Sequence, residues 1–384
     1  MKKSIAIFST SRSDFGILAP FISAIQESPS LQSLLFVGGA HLSKQHGETI
    51  SEIEDYGFGI TGQFDYLTKS DDQYSLSYGV SDAVKQVADI FERHKFDFVC
   101  ILGDRYELLS IVINAILFGR PIIHLNAGEV TEGAIDEVIR SMISKAAHLH
   151  FAACEQYVEN VRRLGEETWR IHNTGTLSAD SMRLVPRIEK NDLFKDIGLD
   201  IEKKTILMTY HPVTQEIGVS HKVQIRNLFQ ALKNYDFQTV ITAPNADHQR
   251  SIIQSVIDEE TSANNSMILV QSLGVKRYYN LIPYCEFVVG NSSSGIIVAP
   301  YFVVPTINIG NRQTGRLRHS SIIDVDYSVE AINDAIRKAL SSKFRNSLKN
   351  MRYMFGDGHA AERMVAIIEK TKIDQKLIVK RRNL

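Results

Sequence analysis

The 384-residue chain holds only three cysteines, one tryptophan and nine prolines, and it has no excess of either charge. Cys100, Cys154 and Cys285 are odd in number and far apart, so they fit neither a disulfide framework nor a zinc site. They suit a reducing cytoplasm. Lys plus Arg number 43 against 44 Asp plus Glu, a formal net charge of −1. Nucleic-acid binders usually show a basic excess, so nucleic acid is not an expected partner. No apolar run approaches the ~18 residues a membrane helix needs, so no membrane is expected either. Met1-Lys2-Lys3 mimics the head of a signal peptide, but the apolar stretch 5–8 stops at Ser9 and reads as a buried first strand. At 44% hydrophobic and 23% charged residues the composition is that of a globular protein, and the length suits two or three domains.

What is present is a rhythm. Short apolar runs at 5–8, 34–37, 98–102, 122–125 and 149–152 alternate with helical periods, the first through Phe15, Leu18, Phe21, Ile22 and Ile25. Further helices are expected around 74–93, 105–118, 134–146 and 155–164. The rhythm restarts after Asn173-Thr174-Gly175, with strands at 205–209, 239–243, 268–270, 287–289 and 306–309. Helical patterns near 220–233, 247–259, 275–283, 294–301 and 328–341 separate or follow them. This alternation predicts two doubly wound, Rossmann-like α/β domains, 1–173 and 174–384, facing a cleft. A last helix near 359–371 could pack on either. Ligands in such folds sit beyond the carboxyl ends of strands, so the residues after each strand are the candidates.

Five such turns carry polar chemistry. Ser11-Arg12-Ser13-Asp14 follows the first strand; an N-cap explains Asp14 and leaves Arg12 for an anion. Gly103-Asp104-Arg105-Tyr106-Glu107 places a carboxylate and a guanidinium at a strand end, against the plainer reading of a helix cap with a surface ion pair. The stretch 124–133 brings Glu129 and Glu132 close to Asp136, and Arg140, four residues on, shares a helical face with Asp136. Crowded carboxylates raise one another's proton affinity, which is how a general acid or base is tuned; an exposed helix salt bridge is the competing reading. His211, in Tyr210-His211-Pro212, opens the second half as a candidate acid or base. Gly290-Asn291-Ser292-Ser293-Ser294-Gly295, between a strand and a helix, suits a diphosphate cradle and lacks the lysine of a P-loop. The G-x-G-x-x-G spacing at 57–62 follows no buried strand and opens no helix, so no dinucleotide cofactor is read there. His148 and His150 alternate on a strand and are expected to pack; no metal site is read.

The segments TSRSDFG (10–16), GDRYE (103–107), GEVTEGAIDEVIR (128–140), SKAAHLHF (144–151), HPVT (211–214), PNAD (244–247), LGVKRYYNLI (273–282), GNSSSGI (290–296) and INIGNRQTGR (307–316) together resemble the hydrolysing UDP-N-acetylglucosamine 2-epimerase family of the sialic-acid pathways. They run in family order over nearly the whole chain. The resemblance implies the two-domain GT-B arrangement, no cofactor, a nucleotide-sugar substrate and a homodimer or homotetramer. It also implies elimination of the nucleoside diphosphate across C1 and C2, then addition of water to release N-acetylmannosamine. The same resemblance makes Asp104, Glu129, Asp136, Arg140 and His211 catalytic candidates, with Arg140 holding Asp136. It places Arg12, His41, Arg105, Asn245, Asp247, Arg277, Ser292, Ser293, Ser294, Gly295, Arg312, Gln313 and Arg316 on the substrate or nucleotide side.

The sequence departs from the family pattern at Val298, where many relatives carry a ribose-binding Glu, at Ser141 in place of His, and at Asn126 in place of an acid. The runner-up substrate is a GDP- or UDP-linked 2,4-diacetamido-trideoxy sugar of the legionaminic-acid route. A GT-B glycosyltransferase and a non-catalytic nucleotide-sugar sensor are the readings from other classes.

Overall fold

The computed structural model describes residues 2–43, 50–132, 134–213, 218–245 and 247–381, with backbone alone for Arg12, Ser13 and Glu52. In chain order the elements are β1 Lys3–Ser9, α1 Arg12–Glu27, β2 Leu31–Gly38, α2 Ile50–Asp55, β3 Ile60–Phe64, α3 Gln73–Arg93 and β4 Phe98–Leu102. There follow α4 Leu108–Leu117, β5 Ile122–Leu125, α5 Asp136–Ala146, β6 Leu149–Ala152, α6 Glu155–Arg163, β7 Ile171–Asn173 and α7 Leu177–Leu184. The second half runs α8 Lys190–Ile197, β8 Thr205–Thr209, α9 His221–Leu232, β9 Gln238–Thr242, α10 Arg250–Ala263, β10 Met267–Val270, α11 Gly274–Leu281 and β11 Cys285–Gly290. It ends with α12 Ser293–Ile297, β12 Thr306–Ile309, β13 Ile322–Val325, α13 Val329–Leu340, α14 Ser342–Ser347, α15 Ala360–Lys370 and α16 Gln375–Ile378.

Two compact units result, each with its own parallel sheet. The first comprises 1–129, 136–184 and 355–384, and its strands run β3-β2-β1-β4-β5-β6-β7. The central strands β4, β5 and β6 are fully buried on both faces, as a sheet covered by helices on each side requires, and apolar but for His124 and His150. The second unit comprises 130–135 and 185–354, ordered β10-β9-β8-β11-β12-β13. Both orders reverse direction once, at β1/β4 and at β8/β11. A doubly wound sheet opens its ligand crevice at that reversal, beyond the strands' carboxyl ends.

The division differs from the expected 1–173 and 174–384 because of what α7 and α15 pack against. Pro20, inside α1, has no N–H for the Gly16 carbonyl, and the Ser181 hydroxyl of α7 donates to that carbonyl at 2.7 Å. Buried Asp180 accepts from the Ala360 and Ala361 amides at 3.0 and 2.8 Å, capping α15. Lys3 donates to the carbonyls of Ile368, Glu369 and Thr371. So α7 and the last helix both belong to the first unit. Three strands were not anticipated: β3 and β7 at the edges of the first sheet, and β13 at the edge of the second. The glycine-rich stretch 57–62 runs into edge strand β3.

Candidate active site

In the first unit, β4 and β5 are neighbours and each ends in a left-handed turn. Gly103, with φ of +79°, precedes Asp104; Asn126 at +59° and Gly128 at +76° precede Glu129. A Cβ on Gly128 would lie 2.1 Å from the Tyr157 carbonyl oxygen, so only glycine lets this loop lie on α6. Asn126 tolerates the left-handed conformation that most side chains resist, which gives the departure at that position a local reason. The two turns are tied together. Gly103 donates its amide to the Leu125 carbonyl at 3.1 Å. The imidazole of His124 donates from Nε2 to the Gly103 carbonyl at 2.8 Å and meets Ser144 Oγ through Nδ1 at 3.0 Å. Burial holds His124 far down, at a pKa of about 3, so its ring is neutral.

Arg140, on α5 and almost fully buried, gathers this end of the unit. Nη1 donates to the Glu129 carbonyl and to Glu137 Oε2, each at 2.8 Å, and Nη2 binds the Asp104 carboxylate. Asp104 and the backbone of Glu129 therefore meet on Arg140, three of the residues that the resemblance made catalytic candidates. Asp136 stands in the first turn of α5, one turn before Arg140, where an acid complements the helix dipole. The Arg140 guanidinium, which the resemblance pairs with Asp136, binds Asp104 and Glu137 as well. Glu132 is exposed and lies in 130–135, which go with the second unit: it donates its amide to the Thr314 carbonyl at 3.0 Å, and a Cβ on Gly315 would meet Val130 Cγ1.

The turns after β1 and β4 share a second polar cluster. Arg105 donates from Nε to Glu107 Oε1 at 2.7 Å, and the Tyr66 hydroxyl donates to the same oxygen at 2.9 Å. Asp14 accepts from Thr10 Oγ1 at 2.9 Å; burial pushes its carboxyl above the ordinary range, and the Arg105 charge opposes this. His41 is fully enclosed, with Nε2 at 2.8 Å from Ser9 Oγ and its ring edge-on to Phe15, so it props the β1 turn. The Arg12 side chain lies outside the described residues.

In the second unit the turns after β8 and β11 lock together. His211 donates its amide to Asn291 Oδ1 at 2.7 Å, and Asn291 Nδ2 donates back to the His211 carbonyl at 2.8 Å. Gly290, at φ +135°, lies so close to Thr209 that a Cβ would fall 1.9 Å from its carbonyl oxygen. His211 Nδ1 accepts from the Asn245 amide at 3.2 Å, which leaves Nε2 as the protonated nitrogen of the neutral ring. The serines form a chain: Tyr278 and Ser294 hydroxyls meet at 2.6 Å, Ser294 donates to Ser292 Oγ at 3.0 Å, and Ser292 caps the five-residue α12. Gly295 is obligatory, since a Cβ would sit 2.8 Å from Thr306 Cγ2. The Asn291 carbonyl accepts from Gln313 Nε2 at 2.9 Å and from Arg312 Nη1 at 3.3 Å. Arg316 is buried in the same loop, and Asp247 accepts through its carbonyl from the Arg250 amide. Arg277 pairs with Asp196 at 3.5 Å on the surface of α11.

Glu107 and Asn291 lie inside the motifs without a role that the sequence marks, and Tyr66 lies outside every motif. Position in the motifs could have flagged the first two. Nothing in the sequence marks Tyr66, which reaches Glu107 from 41 residues away. Among the described residues no three His, Cys, Asp or Glu side chains converge as metal ligands would, and no helix is long and apolar enough to cross a membrane.

A family model described as UDP-N-acetylglucosamine 2-epimerase matches residues 23–369. A GDP/UDP-N,N'-diacetylbacillosamine 2-epimerase (hydrolyzing) of Campylobacter jejuni is 37% identical over 348 residues, covering 90% of each chain. A UDP-N,N'-diacetylbacillosamine 2-epimerase (hydrolyzing) of Legionella pneumophila is 29% identical over 99% of each. Among solved structures, the UDP-GlcNAc 2-epimerase of Neisseria meningitidis bound to UDP-GlcNAc superposes with a TM-score of 0.82 at 17% identity, over 96% of this chain and 100% of that one.

Proposed function

The chain belongs to the UDP-N-acetylglucosamine 2-epimerase family, and from that premise we propose that it is a hydrolysing 2-epimerase of a nucleotide-linked 2-acetamido sugar. The carrying observation is the Asp104 carboxylate, bound to the buried Arg140 guanidinium beside Glu129 at the crevice end of the first sheet. The C2 proton of such a sugar is not adjacent to a carbonyl and is not intrinsically acidic. Departure of the diphosphate must therefore run ahead, leaving oxocarbenium character at C1 while a carboxylate takes the C2 proton. Asp104, Glu129 and Asp136 are the carboxylates for that transfer. The C1–O bond breaks, the nucleoside diphosphate leaves with its electron pair, and a 2-acetamidoglycal remains. Water then adds, with hydroxyl to C1 and a proton to C2 from the opposite face, which inverts C2.

The departing charge calls for preorganised donors. Ser292, Ser293, Ser294, Arg312 and the Nε2–H of His211 are assigned to it, on the second unit, with Asn245, Asp247, Gln313 and Arg316 on the nucleotide side. The first substrate to try is the N,N'-diacetylbacillosamine named for the Campylobacter and Legionella relatives; UDP-N-acetylglucosamine, the sugar of the family name, is the second. Val298, at the end of α12, is buried and apolar and offers a ribose no acceptor, so GDP and UDP forms both belong in the assay. Proton NMR in D2O with each nucleotide sugar and no acceptor tests the reading. It expects a nucleoside diphosphate and a free manno-configured sugar carrying deuterium at C2. A product still attached to nucleotide, or a demand for an acceptor, overturns it.

The homo-oligomer implied by the resemblance is assigned to the outer face of α4 and α5. Ile113, Ile116, Leu117, Val138 and Met142 are all exposed there, an apolar surface on both helices. Sedimentation of the full chain against Leu117→Lys tests this: a dimer or tetramer reduced to monomer supports it, and an unchanged mass sinks it.

A further inference from the structure

His124 is an imidazole set into an otherwise apolar strand: Ile122, Ile123 and Leu125 complete β5, and all four residues are buried. An aliphatic side chain would fill that place without the cost of taking a polar ring out of water. The ring is instead bonded at both nitrogens. A carbonyl only accepts, so Nε2 carries the proton towards the Gly103 oxygen at 2.8 Å, and Nδ1 of the neutral ring accepts from Ser144 Oγ at 3.0 Å.

Those two partners are the neighbours of the Asp104–Arg140 pair. Gly103 directly precedes Asp104 in the turn after β4. Ser144 stands four residues after Arg140 in α5, on the same buried face of that helix. Two links therefore join α5 to the β4 turn side by side. One is Arg140 Nη2 on the Asp104 carboxylate; the other is Ser144, through His124, on the Gly103 carbonyl. The Gly103 amide is held by β5 as well, donating to the Leu125 carbonyl at 3.1 Å. With both of its polar groups bound and φ at +79°, Gly103 sets the direction in which Asp104 leaves the strand. A buried network whose members are all satisfied selects one arrangement of the groups around it.

We propose that His124 and Ser144 are positioning residues that hold the Asp104 carboxylate in register with Arg140 for proton transfer, a role that rests on the epimerase reading above. Neither touches the sugar; both act through the Gly103 turn. The test is kcat and KM of the full chain on whichever nucleotide sugar it turns over, beside calorimetry with UDP and GDP. His124→Asn stops its amide short of the Gly103 carbonyl and should lower kcat by about 30- to 100-fold, the cost of a shift of about 1 Å. KM and diphosphate affinity should move by less than about threefold. His124→Gln, whose amide reaches as far as Nε2, should recover about tenfold of the loss, the worth of one hydrogen bond. Ser144→Ala takes the donor from Nδ1 and should cost about three- to tenfold in kcat. In an Asp104→Asn background each change should cost under about twofold more, because the carboxylate being placed is gone. Full multiplication of the losses in that background overturns the proposal, as does a Gln variant no better than Asn or a parallel loss of diphosphate binding. If His124→Asn fails to fold, Ser144→Ala alone and combined with Asp104→Asn decides. Unaltered kcat in these variants sinks this role and leaves the epimerase reading standing. An unaltered chain that releases no nucleoside diphosphate from any of the sugars sinks both.

Discussion

Ser181 on α7 supplies the Gly16 carbonyl of α1 with the hydrogen bond that Pro20 cannot, at 2.7 Å and out of solvent. A mid-helix proline ordinarily costs about 3 kcal/mol, partly through that orphaned acceptor. Here the repair comes from a helix 165 residues away in sequence. Ser181→Ala should lower unfolding free energy by about 1–2 kcal/mol, read as a shift in urea midpoint at constant slope. Adding Pro20→Ala should recover part of the loss by restoring the helix's own donor. If the double variant is no more stable than Ser181→Ala, the pairing is incidental.

The reciprocal bonds between His211 and Asn291 make a sharper claim about chemistry. The Asn245 amide occupies Nδ1, so the ring proton belongs on Nε2. Nitrogen-15 NMR of the neutral imidazole should find it there. Asn291→Ala removes both bonds of the clamp and the anchor for the β11 turn. It should cut kcat/KM on the nucleotide sugar by about a hundredfold, in the range set by losing two buried hydrogen bonds. An Nδ1–H tautomer, or an Asn291→Ala enzyme of ordinary activity, contradicts the assignment.

Much of this was legible beforehand, for reasons particular residues show. The apolar runs at 98–102 and 206–208 read directly as strands because both of their faces are buried. Strand β7, with the sequence Ile-His-Asn and only Ile171 buried, leaves no such trace at a sheet edge. Asp104 and Glu129 could be singled out from sequence because each follows an apolar run that ends at the carboxyl edge of a parallel sheet. The path of 130–135 could not be foreseen. It depends on Gly315 leaving room for Val130, a contact across 185 residues that composition does not encode. Tyr66 was invisible for the same reason.

Asp104→Asn separates catalysis from mere binding. The change keeps an acceptor for Arg140 but removes the carboxylate's charge and basicity. Turnover should fall by about a hundred- to ten-thousandfold, the usual worth of a general acid or base, while UDP or GDP affinity by calorimetry moves by less than about threefold. A variant that binds and turns over as before would favour the nucleotide-sugar sensor instead.

The buried histidines set the acid limb of stability. His124 titrates near 3 in the folded chain against an ordinary value of 6.5, because burial penalises its charged form. His148 and His319 are lowered to about 4 by the same cause. A group whose folded pKa lies below its unfolded one favours the folded state fully above the unfolded pKa. As pH falls below 6.5 the unfolded chain takes protons that the folded chain refuses, and stability drops. For fully enclosed His124 the slope is about 1.4 kcal/mol per pH unit between about pH 6 and 4. Glu166 extends the loss: burial would raise its carboxyl, but His150, Lys145 and Lys380 outweigh that and hold it at about 2, so its contribution fades as pH falls below 4.5. Urea unfolding at pH 7, 6 and 5 should therefore give steadily decreasing free energies, and His124→Asn should flatten the slope by about one proton's worth. Stability that is level or rising from pH 7 to 5 would mean these rings are charged in the folded chain, and His124 Nδ1 could then no longer accept from Ser144 Oγ.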